Sequence, residues 1–281
     1  MEAMMQSFDY GWTSADGIKF FGQGWAPDSP KALVCLVHGL GEHSARYAHV
    51  GKALADAGYA LLAFDLRGHG RSGGPRGHVS SFEVFMQDID QHVGAATKRY
   101  PNLPYFIYGH SLGGALVLNY ALRRKPAAAG IIATAASLRT ALESQKAKVV
   151  MARLLGTILP AVTINSGLEP ETICSDPLVV QRYVDDPLVH HKLSFGAGKA
   201  LMAAIAWALE HAAEFSLPLL VMHGTADRLG LASGSAEFAA KVRSGCTLKL
   251  WEGLSHELHN EPAKEEVLKY VIEWLDRQLV V

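Results

Sequence analysis

Tyr105-Phe106-Ile107-Tyr108-Gly109-His110-Ser111-Leu112-Gly113-Gly114 is the stretch that decides the fold. Tyr105–Tyr108 is a short apolar run of strand character, and Leu112–Arg124 continues at helical spacing. Between them stands Gly109-His110-Ser111-Leu112-Gly113, a Gly-x-Ser-x-Gly pattern set between strand and helix. So tight a turn leaves no room for side chains two residues either side of the serine, which is why glycine stands at both places. Ser111 then projects from a strained turn at a helix N-terminus, where developing negative charge is favoured. In a chain with 27 glycines the pattern alone could arise by chance. The strand–turn–helix context argues against that.

Outward from this turn the chain alternates strand and helix. Ala32–Val37 and Tyr59–Phe64 are continuous apolar runs, expected of strands buried on both faces. A helix is expected over Ser44–Ala57, stopped at Gly58, and another along Phe82, Phe85, Ile89, Val93, Ala96 and Tyr100. Gly130–Ala135, Leu217–Met222 and Thr247–Trp251 read as strands, and a last helix is expected from Pro262. At the N-terminus, Ser7–Trp12 and Ile18–Trp25 read as a hairpin around Asp16-Gly17. Alternation of this kind predicts an α/β fold, a mostly parallel central sheet with helices on both faces and a site at the carboxyl ends of the strands. It lapses between about Ser137 and Phe215, which reads as an inserted helical cap. The expected organisation is core over 1–136, cap over 137–215 and core again over 216–281.

A serine hydroxyl is a poor nucleophile until a base takes its proton. Of the 13 histidines, His38 and His110 flank motif glycines, His69 lies in the turn Asp65–Ser72 and His223 lies near a strand end. In the order Ser, acid, His, the base belongs in the loop after the last strand. Gly253-Leu254-Ser255-His256-Glu257-Leu258-His259 offers His256, nearer the strand, with His259 as the alternative. The acid belongs after the preceding strand, where Asp227 follows His223-Gly224-Thr225-Ala226. Asp227 either holds the imidazole in one tautomer or merely forms a turn. Asp176 and Asp186, each before proline, read as turn residues of the cap. An oxyanion needs fixed donors. The backbone N–H of Leu112 is one candidate, and that of Leu40, in His38-Gly39-Leu40-Gly41, is the other.

Composition narrows the classes. Of 281 residues, 49% are hydrophobic and 19% charged, which excludes a disordered tail or a coiled coil. With 26 basic and 27 acidic residues well mixed, no basic stripe answers a phosphate backbone, so nucleic acid is not an expected partner. Met1–Gly17 lacks a basic segment followed by an apolar one, and no secretory signal is expected there. No apolar run approaches the roughly 20 residues that span a bilayer. Cys35, Cys174 and Cys246 are scattered and odd in number, which fits a reducing, cytoplasmic setting better than a disulfide framework or a metal cluster.

Further strings extend the pattern: His38-Gly39-Leu40-Gly41-Glu42-His43-Ser44 with Arg46-Tyr47, Asp65-Leu66-Arg67-Gly68-His69-Gly70-Arg71-Ser72, Tyr100-Pro101-Asn102-Leu103-Pro104, Asp186-Pro187-Leu188, and Gly224–Leu229. On these residues, from about Leu36 to the last helix, the chain resembles the monoacylglycerol lipase and lysophospholipase branch of the α/β-hydrolases. The resemblance implies an α/β-hydrolase fold, a triad at Ser111, Asp227 and His256, and an oxyanion hole at Leu40 and Leu112. It further implies that Glu42, Arg46, His259 and Tyr183 lie near the polar head of the substrate. Glu42 and Arg46 read equally well as an i, i+4 salt bridge at a helix start. Where some family members carry cysteine, this chain has Gly230, so inhibition through a thiol there is not expected.

The early cap is unusually apolar, with Val149, Val150, Met151, Leu154, Leu155, Ile158, Leu159 and Val162. That run is wider than one buried helix face of about 100°. It reads as a lid over an acyl tunnel that touches a membrane or micelle surface, against the alternative of a helix packed on the core. Lys146 and Lys148 are the nearby lysines, so such contact would be hydrophobic. The expected reaction is two-step acyl transfer on a lipid ester, with no metal or organic cofactor. A general carboxylesterase, a lysophospholipase or an acyltransferase shares the same residues. A non-catalytic ligand receptor is a rival of another class. A dehalogenase or epoxide hydrolase would need aspartate at position 111.

Overall fold

The computed structural model describes residues 5–140 and 146–280. Side chains of residues 146–149, 152 and 153 fall outside that description, and with them the sequence reading of Lys146, Lys148 and Val149. The strands are β1 (Gln6–Thr13), β2 (Lys19–Ala26), β3 (Ala32–Val37), β4 (Tyr59–Phe64), β5 (Tyr105–His110), β6 (Gly130–Thr134), β7 (Thr163–Asn165), β8 (Lys192–Ser194), β9 (Leu219–Gly224) and β10 (Cys246–Trp251). The helices are α1 (Ala48–Asp56), α2 (Phe82–Arg99), α3 (Leu112–Arg124), α4 (Lys146–Ile158), α5 (Pro177–Asp185), α6 (Phe195–His211), α7 (Ala232–Lys241) and α8 (Lys264–Leu279).

The central sheet runs β1-β2-β4-β3-β5-β6-β9-β10. Its pairings from β4 to β10 are parallel, and the β1–β2 hairpin joins antiparallel at the β4 edge. This is the α/β-hydrolase fold expected from the strand–helix alternation. Strands β3, β4, β6 and β9 are buried at every position, as an apolar run without alternation requires of a sheet covered on both faces. Two apolar layers result. One packs α2, α3 and α6 against the sheet through residues such as Ile89, Leu116 and Leu209. The other packs α1 and α8 through Leu54, Val271 and Trp274.

Several boundaries differ from the sequence expectation. The helix expected from Ser44 begins as a 3-10 turn, Ser44–Tyr47, before α1. Strand β9 starts at Leu219, not Leu217, because Pro218 has no N–H to give a ladder; its carbonyl instead accepts from Ile131 N–H. Helix α8 starts at Lys264, not Pro262, because the chain just before it is engaged with the loop ahead of α5. There the Glu261 carboxylate accepts from Ser175 N–H (2.8 Å) and Ser175 O–H (2.5 Å).

Between β6 and its sheet neighbour β9 the chain leaves the sheet, carrying α4, the small antiparallel β7–β8 pair, α5 and α6. Asp176 caps α5 by accepting from Leu178 N–H. Asp186 closes a turn on Leu188 N–H and also pairs with His43 at 2.8 Å, tying this excursion to the core. Helix α4 crosses α6 closely at Gly156, where an added Cβ would meet the Phe195 carbonyl. Its outer face leaves Val150, Met151, Leu154 and Ile158 exposed, Ile158 at 63%. No helix among the described residues is long and apolar enough to cross a membrane.

Candidate active site

Ser111 stands between the end of β5 and the start of α3, with φ 55 and ψ −116. For a residue with a side chain that is a strained conformation, held here from both sides. Ser111 N–H donates to Thr134 O of β6, and Ser111 O accepts from Ala115 N–H and Ser137 N–H. The glycine requirement read from sequence has identifiable contacts: a Cβ at Gly109 would strike the Gly113 carbonyl, and one at Gly113 the Val37 carbonyl. The turn therefore packs backbone on backbone.

The three expected residues meet in space. Ser111 O–H donates to His256 Nε2 at 2.8 Å, and His256 Nδ1–H donates to Asp227 Oδ2 at 2.6 Å. His256 comes from the loop after β10 and Asp227 from the loop after β9, so adjacent parallel strands deliver both to the carboxyl edge beside β5. Asp227 is buried, which by itself raises a carboxyl pKa. Hydrogen bonds from His223 and His256 outweigh burial and hold it well below the carboxylate range. Burial would lower His256. The bond to Asp227, with the charges of Asp227, Glu257 and Glu42, raises it above the ordinary histidine value. Such a pair can take a proton from a hydroxyl and hold the resulting imidazolium.

Ser111 and His256 border a cleft of about 320 Å³ whose wall also includes Gly39, Leu40, Ile173, Tyr183 and Leu229. Leu112 opens α3, so its N–H has no carbonyl one turn back within the helix. Leu40 follows β3 on the facing loop. A groove of about 440 Å³ at the β1–β2 edge, lined by Phe8, Gln23 and Trp25 among others, holds no nucleophile–base pair.

Glu42 and Arg46 are indeed ion-paired, at 2.9 Å, within a larger buried network. Glu42 Oε1 accepts from Gly39 N–H (2.6 Å) and Tyr47 O–H (2.8 Å), so this carboxylate grips the loop that carries Leu40. Arg46 forks onto both oxygens of Glu257, at 2.5 and 2.7 Å, and lies over the Tyr183 ring at 4.8 Å. Burial raises the Glu42 pKa, but Arg46 and its other neighbours hold it at about 2. Tyr183, from α5, is buried at the cleft wall with no partner for its hydroxyl among the described residues. His259 is fully buried, stacked on Tyr47 at 4.6 Å, with neither ring nitrogen hydrogen-bonded among the described residues. Of the two loop histidines, the one hydrogen-bonded to Ser111 is His256.

Sequence reasoning passed over Ser137, Glu257 and His223. The Ser137 hydroxyl lies 3.2 Å from Ser111 Oγ and borders the cleft. His223, set aside as a residue near a strand end, contacts Asp227 at 2.9 Å. Its spacing four residues before Asp227 was the available signal.

Residues 28–263 match the family described as serine aminopeptidase, S33. A monoacylglycerol lipase of Mycolicibacterium smegmatis is 35% identical over 270 residues, covering 95% of this chain and 96% of that one. The chain belongs to the monoacylglycerol lipase branch of the α/β-hydrolases. An abhydrolase domain-containing protein of Dictyostelium discoideum is 40% identical over 91% of this chain, and the chain spans 27% of that protein's length. Among solved structures, a monoacylglycerol lipase of Paleococcus ferrophilus superposes with a TM-score of 0.83 at 31% identity, covering 98% of this chain and 99% of that one. Membership of this branch carries the enzyme class: the chain is a carboxylic ester hydrolase.

Proposed function

We propose that the protein cleaves monoacylglycerols to fatty acid and glycerol through an acyl-enzyme on Ser111. The observation that carries the reading is the Ser111–His256–Asp227 hydrogen-bond chain, at 2.8 and 2.6 Å, opening on the cleft. In the first step Ser111 Oγ attacks the ester carbonyl as its proton passes to His256 Nε2. The backbone N–H groups of Leu40 and Leu112 hold the oxyanion. Collapse of the intermediate expels glycerol, which takes the proton from His256. Water then gives a proton to His256 and attacks the acyl-enzyme; a second collapse frees the fatty acid and restores Ser111.

Two features support a lipid ester over a small soluble one. The cleft wall has apolar residues, Leu40, Leu168, Ile173 and Leu229, beside a polar end at Glu42, Glu257 and Tyr183, with Arg46 hydrogen-bonded to both carboxylates. The buried, unpartnered Tyr183 hydroxyl is a hydrogen-bond group suited to a glycerol head. His259, buried behind Tyr47, would act on the head only through that wall. Residues 137–215 serve as the cap on a core of 1–136 and 216–281, and α4 rests its exposed apolar face on a lipid surface. That makes the protein peripheral at a membrane or micelle. Its free cysteines suit a reducing cytoplasm.

The test compares a medium-chain monoacylglycerol with a short-chain aryl ester, wild type beside Ser111→Ala. Preference for the monoacylglycerol, abolished in the mutant, is the expected result. Turnover of the aryl ester alone would reduce the reading to a general esterase. Near wild-type turnover by a folded Ser111→Ala protein would remove Ser111 as the nucleophile.

A further inference from the structure

We propose that His223 is a positioning residue of the triad, fixing the Asp227 carboxylate on His256, and that Ser235 in turn fixes His223. The inference rests on the triad reading above and adds a second imidazole behind the acid. His223 lies at the end of β9, fully buried, with both ring nitrogens engaged. Its Nε2 faces two acceptors, Asp227 Oδ2 at 2.9 Å and Gly230 O at 3.1 Å, so that nitrogen carries the proton. Its Nδ1 then accepts from Ser235 O–H at 2.7 Å. Ser235 is itself fully buried, in the first turn of α7.

The consequence is visible at Asp227. Its Oδ1 accepts from Leu229 N–H (2.8 Å) and Gly230 N–H (3.0 Å), which set the plane of the carboxylate. Its Oδ2 is shared between His256 Nδ1 and His223 Nε2, donors arriving from different elements. Removing His223 would leave Oδ2 with His256 as its imidazole donor, free to drift toward it or away. It would also leave the carboxylate more electron-rich. A carboxylate serving one imidazole holds an imidazolium more tightly than one serving two, so the base would become harder to deprotonate. The other titratable or charged groups facing His256 are His110 from β5, with ring centroids 4.9 Å apart, Glu257 and His259 from its own loop and Glu42 from the loop after β3. None of them touches His223 in the contacts described, so they stay as a constant background to a change at position 223.

The experiment uses the full chain with a soluble aryl ester, measuring kcat and KM from pH 5 to 9 beside thermal unfolding. His223→Leu should lower kcat about 10- to 100-fold with KM within about twofold, a loss smaller than that from disabling a triad acid outright. It should also move the acid limb of kcat/KM upward by about half a pH unit. His223→Gln, whose amide N–H can reach Oδ2, should recover most of the lost rate and return the limb. Ser235→Ala should fall between them. Should the leucine variant not fold, the glutamine and Ser235→Ala variants decide, and wild-type rate and pH profile in Ser235→Ala would overturn the proposal. A folded leucine variant with wild-type kcat and an unmoved limb would overturn it too. So would equal losses in the leucine and glutamine variants that track unfolding temperature without moving the limb, since that marks packing alone. Ser111→Ala run in parallel separates the two readings: if it stays active, the triad assignment fails; if it is dead while His223→Leu is unaffected, only the role of His223 fails.

Discussion

Glu42→Gln distinguishes a head-group contact from a clamp on the oxyanion loop. The substitution keeps an oxygen for Gly39 N–H and Tyr47 O–H but removes the charge that shortens those bonds and holds Arg46. Charge-assisted hydrogen bonds are roughly twice as strong as neutral ones, so each of these contacts weakens by about 1 kcal/mol. Arg46 keeps Glu257 and is not left as a lone buried cation, which avoids the 3–5 kcal/mol cost of an orphaned charge. A stability loss of about 2 kcal/mol follows, or roughly 4–8 °C in Tm for a chain of this size. If the slackened Gly39 backbone lets the Leu40 N–H drift, the oxyanion loses between about 1 and 3 kcal/mol, a kcat reduction of roughly 5- to 100-fold. Because the oxyanion forms with any ester, the reduction should be similar for a monoacylglycerol and for a short aryl ester, with KM little changed. Initial-rate kinetics on both substrates, with calorimetry for Tm, give the answer. A rise in KM for the monoacylglycerol alone, with the aryl ester untouched, would refute the clamp and make Glu42 a head-group ligand.

The same geometry sets further expectations. Gly113→Ala should fail to accumulate as folded protein, or melt far below wild type, since its Cβ would be driven into the Val37 carbonyl; thermal unfolding checks it. His256 must be neutral to act and its pKa is raised, so the acid limb of kcat/KM should lie above the ordinary histidine value of 6.5, and Glu257→Gln should move it down. Glu42 and Asp227 are depressed in the folded state, so the stability they contribute is present above the ordinary carboxylate range and is lost as pH falls from about 4.5 toward 2; Tm against pH should drop through that window, less steeply in Glu42→Gln. Ile158→Ser combined with Val150→Ser should weaken binding to phosphatidylcholine vesicles in a flotation assay while the soluble ester is turned over as before.

What could be read from the sequence was what short-range pattern encodes. The elbow around Ser111 is fixed by glycines within a few residues of it, and β3, β4 and β6 by apolar runs that only a two-sided core accommodates. The loops carrying Asp227 and His256 followed from strand order. Other features depend on contacts that no local pattern specifies. Arg46 meets Glu257 across 211 positions of chain, so its nearer partner Glu42 was the one visible from spacing. Helix α7 is Ala-Ser-Gly-Ser-Ala-Glu-Phe-Ala-Ala-Lys, small residues with little apolar stripe, and it escaped notice along with the Ser235 it carries. The exposed face of α4 is a middle case. Its apolar excess was plain in the sequence, whereas which side it turned to solvent was set by the close crossing with α6 at Gly156.

His110, His256 and His259 cluster beside the cleft, and electrostatics as well as geometry sets His256 apart from the other two. His110 lies with its ring centroid 4.9 Å from that of His256 and 4.8 Å from that of His259. All three are buried, and burial disfavours the imidazolium in each. His110 offers its Nδ1 only to the Thr134 hydroxyl at 3.2 Å, and it is held down at about 3 by burial and by the nearness of His256. Among the described residues His259 has no hydrogen-bond partner at either nitrogen, and burial with the neighbouring His110 puts it well below the ordinary value. His256 alone has a carboxylate on Nδ1, and its pKa goes the other way. Were the neighbouring rings able to charge, each would repel the imidazolium formed when Ser111 gives up its proton. At an effective dielectric of about 20, a unit charge about 5 Å away, the spacing of His110 from His256, is worth roughly 3 kcal/mol, a few hundredfold in rate. On the proposed mechanism, keeping His110 and His259 neutral therefore favours turnover alongside the bond to Asp227. It predicts that a lysine placed at position 259 would suppress kcat even in a protein whose triad distances were intact.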